Sequence, residues 1–235
     1  MLEIIIAGGV MMIPIILASI VALAIIFERF WALRRSKVMP VADVEMARKL
    51  AETGQVSSNA INNLSSSSVV GSVLATGLAS SSLPRHLMKE NVEEAGRHAV
   101  HRLERYLPAL ATIGSISPLM GLLGTVFGMI SSFSQISKAG AGNPAAVAEG
   151  ISVALITTAA GLMVALTAVI FHRLLKAKVD NYVISMEQEA VKLIEIVNQT
   201  NNRRPTATVA SNQPTANEKA AAAIAAARQR MASGG

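Results

Sequence analysis

Three stretches of this chain, Ile4 to Phe27, Tyr106 to Ser137 and Gly150 to Phe171, contain no Asp, Glu, Lys or Arg. Each is long enough to cross a hydrocarbon core, which takes about 20 residues of helix. The rest of the composition agrees: only 15% of the 235 residues are charged and mean hydropathy is +0.46. A soluble domain carries about 25% charged residues, so an ordinary soluble enzyme is excluded, as is disorder of the whole chain. Net charge is +6, but aromatics are 3% of the chain, leaving little with which to stack bases. The basic excess therefore points to a membrane protein rather than a nucleic-acid partner. There is no cysteine, which excludes disulfides, thiolate catalysis and Cys-type zinc sites and leaves the redox compartment open.

The first charge-free stretch differs from a secretory signal peptide: it has no basic n-region, its apolar run is too long, and it ends in Glu28-Arg29 and Arg34-Arg35-Lys37. It reads as a retained span. Twenty of the 21 Lys and Arg residues fall between Glu28 and Arg105 or after Phe171, and the remaining one, Lys138, stands in the connection between spans two and three. The positive-inside rule then puts the N-terminus and the 138–149 connection outside and both long polar segments in the cytoplasm. The clusters that set this orientation are Arg29, Arg34, Arg35 and Lys37 after span one and Arg173, Lys176 and Lys178 after span three.

The expected architecture is an all-α membrane protein with three transmembrane helices, spans two and three extending into long cytoplasmic helices. Its segments are a first span over 1–30, a cytoplasmic loop with helices over 31–105, span two over 106–137, an outer connection over 138–149, span three over 150–172, a cytoplasmic helix over 173–198, and a disordered or weakly helical tail over 199–235. Within the loop, Asp43 to Glu52 has helical propensity, Ser57 to Ser68 reads as a turn or flexible piece, and Pro84 as a helix start. The spacing of Leu87, Val92, Ala95, Ala99 and Leu103 predicts an amphipathic helix running straight into span two. Val179, Val183, Met186, Ala190, Leu193 and Val197 predict the same beyond span three.

Inside the spans there is no titratable carboxylate or amine, and a proton relay needs a titratable group at depth. Any such group must come from another chain. What the spans carry instead is stripes of small and hydroxyl residues. Gly121, Thr125, Gly128 and Ser132 share one face of span two, and Gly124 with Gly128 forms a GxxxG pair. Ala154, Thr158, Gly161, Ala165 and Ala168 share one face of span three. Such faces permit close helix packing, with threonines bonded to their own backbone; two stripes with mid-span threonines also suit the lining of a polar cavity. Thr157 and Thr158 are about 100° apart on a helix, so one faces the cavity and the other a neighbouring helix. Glu149, at the outer mouth of span three, is either a helix N-terminal acid favoured by the dipole or a charge guiding ions. Pro118 either kinks span two or marks a bend. The four histidines offer no metal site, and no phosphate loop, catalytic triad or paired catalytic carboxylates are present, so no enzyme activity, metal or cofactor is expected.

The run Ser117-Pro-Leu-Met-Gly-Leu-Leu-Gly-Thr-Val-Phe-Gly-Met129, followed by Gly150-Ile-Ser-Val-Ala-Leu-Ile-Thr-Thr-Ala-Ala-Gly-Leu162, resembles the two-span signature of the MotA/TolQ/ExbB proton-channel family, its ExbB/TolQ branch in particular. The likeness begins at Ile-Phe-Glu-Arg-Phe-Trp in span one and ends near Leu193. It implies a multi-pass protein of a bacterial inner membrane, a homo-pentamer around the span of an ExbD-like or TolR-like partner whose aspartate carries the proton. It places Thr125 and Thr158 along the proton pathway; Thr157 is expected beside them, with Gly121, Gly124, Gly128, Gly161 and Ala165 in helix packing by their spacing and Glu149 at the periplasmic mouth by the charge-based topology. Proton flow would energise a TonB-like protein and outer-membrane transport; a TolQ-like subunit would work through a TolA-like partner, and a passive membrane scaffold is the remaining alternative. Some ExbB members have a glutamate where this chain has Val153.

Overall fold

The computed structural model describes residues 9–139 and 144–203, with side chains for all of these except 135–139 and 144–146. Residues 1–8 of the expected first span, the side chain of Lys138 and the tail from 204 onward lie outside the described residues. Among those described the chain is helical, with eight helices and no strand: α1 Met12–Ala32, α2 Arg35–Val38, α3 Val41–Thr53, α4 Ser58–Ser67, α5 Val69–Ala79, α6 Arg85–Glu104, α7 Leu107–Ala139 and α8 Pro144–Arg203. Three of them, α1, α7 and α8, are long and apolar enough to cross a membrane. A helix is the form in which an isolated segment satisfies its own backbone in lipid.

At about 1.5 Å per residue, the 60 residues of α8 span roughly 90 Å. That is about three times the hydrocarbon core, so most of the helix stands outside it. Its apolar half packs antiparallel on α7, with α1 resting on both. The outward surfaces of these three helices carry exposed Ile13, Leu17, Leu119, Phe133, Leu155 and Leu166, the side chains a lipid-facing surface requires.

The other half of α8 carries a helical domain. Its buried face is Val179, Met186, Ala190, Leu193 and Val197, packed with Ala47 and Ala51 of α3, Leu64 of α4, Leu74 and Leu78 of α5, and Met88 and Val92 of α6. Each fully buried Leu or Val there contributes about 1.5–3 kcal/mol of burial free energy. Helix α5 is apolar but has only 11 residues, too few to span. It is the centre of this domain instead, with Val70, Val73, Leu74, Ala75 and Leu78 all buried.

Three local expectations are corrected. Residues 58–67 form α4 rather than a flexible turn. Serines are weak formers of helix interiors but good caps, and here Ser57 caps α4 by accepting from the Ala60 N–H (3.2 Å), while Ser68 ends it and caps α5 by accepting from the Gly71 N–H (3.0 Å). Leu64 then anchors the helix in the core, and Asp43 of α3 accepts from the Ser67 hydroxyl at 2.6 Å. The buried face of α6 is Met88, Val92, Ala99 and Leu103, while Leu87 is exposed. Nor does α6 run straight into α7. Tyr106 sits between them at φ 67°, the left-handed region that a bulky residue adopts only under tertiary constraint.

That constraint is visible around Arg29, at the end of α1 and only 5% exposed. Its guanidinium donates to both Glu28 carboxylate oxygens (2.5 and 2.6 Å) and to the Arg102 and Leu103 carbonyls (3.4 Å each), which the end of α6 leaves without helical partners. The Tyr106 ring lies beneath it, 5.5 Å from Arg29 and 4.7 Å from Arg105. Lys176 of α8 pairs with Glu104 on the other side. That carboxylate, with Asp180, holds the Lys176 ammonium above the usual lysine range. At its far end, α8 continues through residues 200–203, where Asn201 donates to the Ser81 carbonyl at 2.7 Å.

Candidate functional site

The seam between α7 and α8 is built from residues without bulk. A Cβ placed on Gly121 would lie 3.1 Å from the Thr158 Cα, and one on Gly161 would lie 2.6 Å from the Ser117 carbonyl and 3.0 Å from the Gly121 Cα. On Gly128 it would meet the Gly150 carbonyl at 2.7 Å, and on Gly124 the Thr157 hydroxyl at 2.4 Å. The backbones therefore approach as closely as small-residue membrane interfaces allow. Gly114, Gly121, Gly124 and Gly128 of α7 are buried, as are Ala154, Gly161, Ala165 and Ala168 of α8. Spacings of three and four keep each set on one stripe.

The three threonines occupy different places. Thr157 is fully buried, seated on Gly124, and its hydroxyl lies 3.0 Å from the Val153 carbonyl and 2.9 Å from the Ala154 carbonyl of its own helix. Thr158 is half-buried and donates across the seam to the Gly121 carbonyl at 3.2 Å. Thr125 is half-buried on the edge of the α7 stripe and donates to the Leu122 carbonyl at 2.6 Å. The buried member of the Thr157–Thr158 pair is thus Thr157, which packs against the neighbouring helix, while Thr158 and Thr125 keep partial access. Ser132 closes the seam at the end nearest the α7–α8 connection, donating to the Gly128 carbonyl at 3.1 Å. Ser117, toward the opposite end, donates to the Ile113 carbonyl at 2.7 Å.

Glu149 is exposed and borders a cavity of about 540 Å³ between the start of α1 and the facing ends of α7 and α8 near their connection, with Gly9, Ser131 and Val153 among its walls. Val153 also makes a 3.4 Å approach to the Cβ position of Gly9. Helix α7 continues through Pro118 without a break. Among the described residues no three His, Asp or Glu side chains gather where they could hold a metal ion.

Chemically, the seam offers hydroxyls that can donate and accept but not titrate near neutral pH. Such hydroxyls can donate to or accept from a polar group brought beside them, and the seam contributes no carboxylate of its own. Sequence reasoning found the glycine stripe but not the contributions of Gly114 and Ser117, or the burial of Thr157. Gly114 continues the three- and four-residue spacing one step before Ser117, and that spacing was the available signal. The role of Arg29 had a weaker one, a Glu-Arg pair directly at the end of an apolar run.

Residues 65–188, which include all of α5, α6 and α7 and the membrane half of α8, match the model of the MotA/TolQ/ExbB proton channel family. The biopolymer transport protein ExbB-like 1 of Synechocystis sp. is 34% identical over 72% of this chain and 67% of its own length. Biopolymer transport protein ExbB of Salmonella typhimurium is 30% identical over 78% of each chain. Tol-Pal system protein TolQ of Pseudomonas aeruginosa is 34% identical over 71% of this chain and 77% of its own. With this match over more than half of its length and relatives at 30% identity or above, the chain belongs to the MotA/TolQ/ExbB proton channel family.

Proposed function

We propose that this chain is an ExbB-like subunit of a proton-motive-force transducer in a bacterial inner membrane. It assembles as a homo-pentamer around an ExbD-like single-span partner and energises a TonB-like protein for outer-membrane transport. The observation that carries this reading is the seam itself: two packed spans with accessible hydroxyls at Thr125 and Thr158 and no acid between Leu107 and Ser137 or between Gly150 and Phe171. The carboxylate that a proton relay needs is then the partner's. Val153, in the place where some ExbB members carry glutamate, is consistent with a route made of hydroxyls, water and the partner's acid. The basic clusters after α1 and after Phe171 orient the N-terminus to the periplasm and the α8 extension to the cytoplasm, which places Glu149 at the periplasmic mouth.

The similarity to TolQ favours a second reading, in which the same ring drives a TolA-like protein with a TolR-like partner. Expressed with its partner in cells lacking the native copy, Thr158→Ala and Thr125→Ala should each lower energised uptake while native mass spectrometry still finds five subunits. Normal uptake in both variants removes the threonines from the pathway. Lost envelope integrity with uptake unchanged moves the chain to the TolQ-like role.

A further inference from the structure

The end of α1 and the segment of α8 beside it form a cationic aromatic cluster that neither the seam nor helix packing uses. Phe30 and Trp31 close the apolar run of α1 and are 57% and 60% exposed. The Lys37 ammonium stands 3.9 Å from the Trp31 ring centre and the Lys178 ammonium 5.4 Å from that of Phe30. The Tyr182 hydroxyl, one turn beyond Lys178, donates to the Leu33 carbonyl at 3.0 Å, so α8 is tied to the end of α1 at this point. Among the described residues neither lysine forms an ion pair, and the adjacent Arg34 and Arg35 form none either. The carboxylates nearest in sequence are engaged elsewhere, Glu28 with Arg29, Asp43 with the Ser67 and Ser68 hydroxyls, and Asp180 with Lys176.

We propose that Lys37 and Lys178, held over Trp31 and Phe30, bind the phosphate of an anionic phospholipid headgroup, with its acyl chains against the exposed apolar side of α1. The depth fits, because α1 ends its apolar run here and Lys178 lies about 10 Å along α8 past Phe171, at the level of the headgroups. Aromatic rings with one wet edge are favoured at that level. A cation–π contact occupies one side of each ammonium and leaves other N–H donors free for phosphate oxygens. Because no carboxylate among the described residues pairs with either lysine, those donors are left for an anion from the bilayer, and the ring contacts hold flexible lysines in place before it arrives.

The test uses Trp31, the single tryptophan of the chain, as the reporter. The full chain is reconstituted in vesicles of phosphatidylcholine and phosphatidylglycerol, with one or the other brominated on its acyl chains, and quenching of Trp31 fluorescence gives the relative occupancy of the two lipids. Wild type should favour the anionic lipid several-fold, and high salt should reduce the preference. Lys37→Gln and Lys178→Gln should each lower it by about fivefold or to parity, whichever is reached first. Lys49→Gln, an exposed lysine of α3, should leave it unchanged. Equal quenching by both lipids in wild type at low salt overturns the proposal without need of any variant. An anionic preference that survives both lysine substitutions overturns it too, assigning the preference to general surface potential. Inorganic phosphate added outside and inside the vesicles should compete poorly; full displacement by it at millimolar concentration would replace the lipid with a free anion and overturn the assignment.

Discussion

Gly161→Ala adds one methyl group where the seam has no room for it. The new Cβ would lie 2.6 Å from the Ser117 carbonyl oxygen and 3.0 and 3.1 Å from the Gly121 Cα and nitrogen, whereas an ordinary contact begins at 3.4 Å. All three obstacles are backbone atoms, so no rotamer change relieves them. The helices must separate locally by about 0.8 Å, the difference between those two distances. A gap of that size forfeits a quarter to a half of each dispersion contact across it, and the neighbours that depend on the same approach, Thr158 on the Gly121 carbonyl and Thr157 on Gly124, loosen with it. Overpacking of this kind costs about 1–3 kcal/mol, which for a chain of this size lowers the thermal midpoint by roughly 2–12 °C. Gly96→Ala is the internal control, since a Cβ there meets nothing within 4 Å and α6 gains about 1 kcal/mol of helix propensity. Thermal unfolding of the two purified variants in the same detergent, followed by circular dichroism, should therefore move in opposite directions. If Gly161→Ala is as stable as wild type, α7 and α8 do not approach at this register and the seam as described is wrong.

Register can be checked covalently, because the chain has no cysteine of its own. The Cβ of a residue at Gly114 would lie 3.6 Å from the Ala168 Cβ, inside the disulfide range, so Gly114→Cys with Ala168→Cys should crosslink under mild oxidation within one chain. Gly114→Cys with Leu166→Cys should not, Leu166 being 64% exposed; the reverse pattern on gel mobility would refute the antiparallel alignment. Arg29→Met removes the cation that serves the Arg102 and Leu103 carbonyls and the Glu28 carboxylate, and should cost about 1–3 kcal/mol while speeding backbone hydrogen exchange at the α6–α7 junction. Unchanged exchange there would show that Tyr106 holds its left-handed backbone without Arg29.

The membrane helices were legible because their signal is long and one-dimensional: runs without charge, bounded by Arg and Lys. The helical domain was less so. Serine-rich residues 58–67 look like a turn by propensity, yet the Ser57 cap and one buried leucine make them helix α4, since tertiary burial outweighs propensities worth a few tenths of a kcal/mol per residue. Helix α5 is apolar over too short a length to declare whether it spans, lies in a core or forms a strand; its neighbours decided. At the site, spacing placed the small residues on stripes but carried an ambiguity of one position. Thr157 and Thr158 are adjacent in sequence, and which of them meets Gly124 depends on the rotation of α8 about its axis, a quantity set by the whole length of the seam.

By itself, the sequence determined that the chain lives in a bilayer, how many times its apolar runs can cross it, and that no carboxylate lies within the spans, because hydrophobic length and charge placement act residue by residue. Only the tertiary structure decided the break at Tyr106, the burial of Arg29 and the assignment of Thr157 to packing and Thr158 to a bond across the seam. Each of these depends on contacts between residues far apart along the chain, where the fit of two helices at 3 Å separates positions that periodicity alone leaves equivalent.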